Sequence, residues 1–265
     1  MPHSQIGVFD SGIGGLTVLK ELARAFPGEN FLYFGDTARL PYGTKSPETI
    51  RAYSEQIMNR LAQKRVKAIV IACNTASSQV PENNWQGIPV YNVIGPGAYA
   101  AARSTARKSI GVLGTRATIE SGVYVQAIHA FAPDAKVFTQ ACPMFVPLAE
   151  EGWIDDPVTD AVVARYLGLL LKNSVDTVVL GCTHYPLLKE AIRKFAGPSV
   201  ALIDSGIAIA EFLEKDMNGK RILRNPSSKR AIQIEMSDLS PHTEARIRSI
   251  LSGHEIASIQ RHDLV

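Results

Sequence analysis

The chain has 265 residues, 46% of them hydrophobic and 20% charged, with a formal net charge of +3. Such a composition belongs to one or two globular domains, and the charge is too small and dispersed to point to nucleic acid. No apolar run approaches the ~18 residues of a membrane span, no basic-then-apolar leader opens the sequence, and three cysteines, Cys73, Cys142 and Cys182, are too few for a disulfide framework. A cytoplasmic protein is expected, its thiols used for packing, metal binding or chemistry.

In chain order, apolar runs predict strands at Ile6–Phe9, Phe31–Phe34, Ala68–Ala72, Val90–Val93, Ile110–Leu113, Lys136–Thr139, Thr177–Leu180, Val200–Ile203 and Ile232–Met236. Helices are predicted between them. In Pro47–Lys64, Ile50, Tyr53, Ile57, Met58 and Leu61 recur at helical spacing. In Asp156–Lys172, Val158, Val162, Tyr166 and Leu170 step along one expected buried face. Asn225–Arg230 is expected to be a surface loop before a final strand and helix. The alternation predicts an α/β fold with mainly parallel strands covered by helices.

The chain also repeats itself weakly. Ile6-Gly7-Val8-Phe9-Asp10-Ser11 resembles Ile110-Gly111-Val112-Leu113-Gly114-Thr115, and Ile69-Val70-Ile71-Ala72-Cys73-Asn74-Thr75 resembles Val178-Val179-Leu180-Gly181-Cys182-Thr183-His184. Both matches occur in the same order at nearly the same offset, which predicts two pseudo-symmetric halves. Ile203-Asp204-Ser205-Gly206 echoes Phe9–Gly12 and reads as a strand end with a helix cap, where the chain crosses back. The expected division is a discontinuous first α/β domain, 1–92 with 206–265, and an inserted second domain, 93–205, with a cleft between them.

Asp10-Ser11-Gly12-Ile13-Gly14-Gly15 follows a strand and opens a helix. Thr17 stands where a dinucleotide fingerprint needs glycine, and Leu16-Thr17 is no P-loop Lys-Ser/Thr pair. A small carboxylate at the helix N-terminus remains open, as does a tight turn capped by Asp10 or Ser11. Cys73 and Cys182 each end a strand and precede polar residues, Asn74-Thr75 and Thr183-His184. Ligands of parallel sheets bind at the carboxyl ends of strands, and a helix N-terminus there is expected to lower a thiol's pKa. Cys142 lacks such a polar run and is expected to be structural.

Zinc held by Cys73, Cys182, His184 and Asp10 is disfavoured by the absence of a close cysteine pair. Two thiols in matching halves suit a different task. Inverting a carbon that bears hydrogen requires one acid/base group on each face of the substrate, and thiols can serve when their pKa is tuned. Asp10 is the expected proton partner of Cys73, and His184 that of Cys182.

The segments Phe9–Leu16, Asp36-Thr37-Ala38-Arg39-Leu40-Pro41-Tyr42-Gly43, Ala72-Cys73-Asn74-Thr75-Ala76-Ser77 and Gly181-Cys182-Thr183-His184-Tyr185-Pro186-Leu187 resemble the glutamate racemases of the aspartate/glutamate racemase family, in order and spacing, over essentially the whole chain. The resemblance implies two α/β domains around a cleft and conversion of L-glutamate to D-glutamate for peptidoglycan, without pyridoxal phosphate or another cofactor and without a metal. It implies that Cys73 acts on the D-enantiomer and Cys182 on the L-enantiomer. Asp10, Ser11, Pro41, Tyr42, Gly43, Asn74, Thr75, Thr115, Thr183 and His184 would hold the substrate, with Glu150 near the histidine. Some family members carry an N-terminal extension and need a cell-wall precursor as activator; with few residues ahead of the first strand, no such activation is expected. The expected partners are glutamate and a second copy of the chain, with no nucleic acid and no membrane. Two rival functions are a racemase for another acidic amino acid, such as aspartate, and a non-catalytic amino-acid-binding module.

Overall fold

The structure is a computed structural model that describes residues 5–220 and 231–263. The expected loop Asn225–Arg230 lies outside the described residues. Eleven strands are present among the described ones: β1 Ile6–Asp10, β2 Phe31–Gly35, β3 Ala68–Ile71, β4 Asn84–Trp85, β5 Ile88–Asn92, β6 Ser109–Gly114, β7 Lys136–Ala141, β8 Thr177–Gly181, β9 Ala201–Asp204, β10 Ile232–Met236 and β11 Ile256–Arg261. They form a seven-stranded sheet, β11-β10-β2-β1-β3-β5-β4, and a four-stranded sheet, β7-β6-β8-β9. Every pairing is parallel except β4 with β5. The nine predicted strands are all present, and β4 and β11 are additional. β4 has only two residues, and β11 is an edge strand whose polar Ser258, Gln260 and Arg261 break the apolar run that marks the others.

β1, β2, β3 and β8 are buried along their whole length, as parallel strands covered on both faces must be. Each fully buried Val, Leu, Ile or Phe in them contributes roughly 1.5–3 kcal/mol through loss of apolar contact with water. The helix Pro47–Gln63 starts at Ser46, whose side chain accepts from the Thr49 amide, and buries Ile50, Ile57, Met58 and Leu61 as their spacing predicts. In the helix Pro157–Leu171, Val162, Tyr166 and Leu170 of the expected face pack against the core of the second sheet beside the buried Thr159, Val163 and Leu167, and Val158 alone of that face is exposed. Val158 sits in the first turn, where its amide donates to the capping Asp156.

The internal echo is a correspondence of register. Phe9 pairs with Ile71 in the first sheet, and their echo partners Leu113 and Leu180 pair in the second. β1 and β6 each lie between two neighbours, β2/β3 and β7/β8, so the strand order reverses direction at the same place in both sheets. That reversal opens a crevice at the carboxyl ends of the strands. The chain leaves β9 through a cap in which Asp204 Oδ1 accepts from the Gly206 amide at 2.8 Å. The following helix, Ser205–Lys220, places Ile209, Ala210 and Leu213 in the core of the first sheet.

Candidate active site

A cavity of about 330 Å³ lies at these strand ends and is lined by both Cys73 and Cys182, within the size range of small-ligand sites. Ser11, Pro41, Tyr42, Gly43, Asn74 and Thr75 line it from the segments attached to the first sheet, and Thr115, Glu150, Thr183 and His184 from those attached to the second. The structure thus brings together every predicted site residue but Asp10. Leu40, Thr44, Arg116, Pro143, Val146 and Pro147 line it as well. Sequence reasoning missed these six, although Arg116 directly follows the echoed Gly114-Thr115 and Pro147 begins the segment that carries Glu150.

Cys73 follows β3 and caps the short helix Asn74–Ser77; its Sγ accepts from the Ala76 amide at 3.4 Å and its thiol donates to Ser11 Oγ at 3.7 Å. The side chain is 4% exposed. Burial pushes the thiol up to about 12, and the negative charge of Asp10 adds to this, against the smaller opposing effect of the Ala76 and Ser11 hydrogen bonds. The expected depression by a helix N-terminus is therefore overturned. A four-residue helix offers little macrodipole, and desolvation of the thiolate dominates.

Asp10 is fully buried behind the cavity wall. Its Oδ2 accepts from the Gly12 amide at 3.0 Å and its Oδ1 from Thr183 Oγ1 at 3.1 Å. Burial raises its pKa against the charge of His184 and hydrogen bonds from Gly12, Gly15 and Thr183. The glycine-rich turn thus holds the protein's own Asp10 carboxyl group, while Ser11 of the same turn lines the cavity. Close approach explains two of the glycines: a Cβ at Gly14 would stand 2.5 Å from Thr183 Oγ1, and one at Gly15 would stand 2.4 Å from Asp10 Cβ.

Cys182 follows β8, is 6% exposed, and has its Sγ 3.8 Å from His184 Nδ1. His184 Nε2 in turn lies 3.1 Å from Glu150 Oε1, at the end of the helix Phe145–Glu151. Burial draws the imidazole toward its neutral form, but hydrogen bonds and charge from Cys182 and Glu150 outweigh it and lift His184 to about 10. The result is a chain of sulfur, imidazole and carboxylate in which an imidazolium is held beside the sulfur.

Other contacts tie the two sets of strand ends together. The hydroxyls of Thr75, Thr115 and Thr118 form a triangle with sides of 2.9, 3.2 and 3.0 Å. Gly43 packs against Thr115 so closely that a Cβ there would stand 2.6 Å from Thr115 Cβ. The Tyr42 hydroxyl is committed to Asp36, which leaves its ring and backbone to line the cavity. Cys142 is buried, does not line the cavity, and donates to the Gln140 carbonyl at 3.4 Å. Among the described residues, no three His, Cys, Asp or Glu side chains are grouped as metal ligands would be.

A family-wide sequence profile described as Asp/Glu/Hydantoin racemase matches residues 6–213. The chain belongs to this family. It is accordingly an isomerase, and its two mainly parallel sheets are those of the family fold. A glutamate racemase of Geobacter metallireducens is 50% identical over 229 residues, covering 86% of this chain and 85% of its relative. The crystal structure of a glutamate racemase isoform from Bacillus anthracis is similar with a TM-score of 0.93 and 35% identity, over 100% of this chain and 98% of that one. A glutamate racemase from Francisella tularensis, solved in complex with D-glutamate, has a TM-score of 0.91 and 34% identity, covering 100% and 99% of the two chains. Among the described residues, no helix is long and apolar enough to cross a membrane.

Proposed function

We propose that this racemase interconverts L- and D-glutamate by proton transfer between two thiols. The observation that carries the reading is that one cavity is lined by two cysteines from equivalent strand ends of two sheets built in the same register. In the L-to-D direction, Cys182 Sγ takes the α-proton as a thiolate, and the Cys73 thiol delivers its own proton to the opposite face of the carbon. In the reverse direction the two exchange roles. His184, held by Glu150, holds and returns the proton on the Cys182 side. On the other side, Ser11 touches the sulfur of Cys73, and Asp10 acts through its charge and its bond to Thr183. Ser11, Asn74, Thr75, Thr115 and Thr183, with Tyr42 and Gly43, would bind the substrate's two carboxylates, a role their position in the cavity lining supports.

The names of the relatives support glutamate as the substrate over aspartate, and two polar-flanked thiols support catalysis over binding alone. The decisive measurement is circular dichroism of L-glutamate and L-aspartate incubated with pure protein. Rotation should decay with glutamate, and a stable glutamate signal would end this reading. The product would supply D-glutamate to peptidoglycan in the cytoplasm. Sheet membership supports the division into 1–92 with 206–265 and 93–205. A homodimer is the proposed assembly, for which the exposed, edge-stacked Tyr99 and Phe131 offer apolar surface; sedimentation at the monomer mass would exclude it.

A further inference from the structure

We propose that Tyr124 is a positioning residue that locks the Asn74 side-chain amide with its NH2 group turned to the substrate, an inference that rests on glutamate, a dicarboxylate, occupying the cavity. Tyr124 lies on the helix Val123–Phe131, is buried, and does not line the cavity. Its hydroxyl donates to Asn74 Oδ1 at 2.6 Å. That distance belongs to an O–H···O bond, because N–H···O bonds centre near 2.9–3.0 Å. A buried phenol must place its proton on an acceptor; Ser205 lies beside the hydroxyl as well, but Asn74 Oδ1 at 2.6 Å makes the short contact.

The second neighbour of that oxygen is farther away and bears on the orientation more weakly. Ser205 Oγ lies 3.4 Å from Asn74 Oδ1 but donates its one hydrogen to the Leu180 carbonyl at 2.9 Å. The shorter contact, that of Tyr124, therefore decides between the two orientations of the amide. With Oδ1 held from behind the wall, Nδ2 is the end of the amide left for a ligand in the cavity that Asn74 lines. This nitrogen is buried and has no partner among the described residues. A free buried donor beside the thiol of Cys73 is an unmet requirement that a substrate carboxylate satisfies. In the opposite orientation the cavity would face a carbonyl oxygen, which repels a carboxylate.

The test is steady-state kinetics of the full chain with both enantiomers, alongside thermal unfolding. Y124F removes one oxygen and leaves the ring. It should raise KM about tenfold, or about 1.4 kcal/mol, with kcat within about threefold, since the contact is held in ground and transition states alike. On an N74A background the same change should add less than about twofold, because its effect runs through Asn74. S205A should stay within about twofold of the parent. N74D keeps the acceptor for Tyr124 but has no NH2, and it should lose at least as much as Y124F; it decides the matter even if Y124F fails to fold. A KM within twofold of the parent for N74D, or for folded Y124F, overturns the lock, as does an equal loss from Y124F on both backgrounds. If the parent binds D-glutamate without turning it over, the two-thiol reading fails, while the same ratios read as Kd still decide the role of Tyr124.

Discussion

Replacing either thiol by serine separates the two half-reactions. At pH 8, a thiol raised to about 12, as Cys73 is, is ionised about once in 10⁴ molecules, and forming its thiolate then costs about 5 kcal/mol. The free enzyme therefore holds Cys73 as an acid, in the state that receives L-glutamate. C73S removes that acid. Losing one acid/base group costs about 10²–10⁴-fold in rate, so racemisation should fall by that factor. The enantiomers have equal free energies, so kcat/KM must fall equally in both directions, and turnover cannot reveal which face lost its group. Exchange of the α-proton in deuterated water, followed by proton NMR, can. C73S keeps Cys182 as base and should deuterate L-glutamate without inverting it, leaving D-glutamate untouched. C182S should do the reverse. The two-thiol scheme is refuted if C73S exchanges D-glutamate as fast as L-glutamate, or if either variant racemises within tenfold of the parent.

Three further outcomes are expected. His184 rises from 6.5 to about 10 on folding, so its contribution to stability is complete below about pH 6.5 and is lost as the pH climbs through about 10. E150Q removes one source of that rise and should lower the His184 value by about 1–3 units, read by NMR titration of the imidazole; an unmoved value would show that Glu150 does not support the imidazolium. Gly14→Ala forces a Cβ to within 2.5 Å of Thr183 Oγ1 and 2.6 Å of the His184 ring, so stability should drop by about 1–3 kcal/mol and kcat/KM should fall with it; unchanged denaturant midpoint and activity would contradict the packing described. Cys142→Ala should keep kcat/KM within about threefold while losing about 1–3 kcal/mol of stability, and a loss of activity comparable to that of C73S would bring the third thiol into the chemistry.

The parallel strands were legible because burial on both faces demands unbroken apolar runs, and these stand out in Ile6–Phe9, Ala68–Ala72 and Thr177–Leu180. The pairing of Cys73 with Cys182 was legible because the two halves repeat each other, so residues at equal distances along matching strands reach equal heights. Edge strand β11 escaped notice because a half-solvated strand carries polar residues.

The sequence by itself determined the two thiols, their polar neighbours Asn74, Thr75, Thr183 and His184, and the strand ends at which they lie, since these follow from local patterns. Tertiary structure alone decided what those groups do to one another. Burial, not helix polarity, sets the Cys73 proton; Asp10 turns inward to Gly12 and Thr183; Glu150 reaches His184; Tyr124 fixes Asn74 from a helix 50 positions along the chain. Each of these depends on distances of a few ångströms between segments far apart in sequence, and on the loss of water around them, neither of which any local pattern of residues encodes.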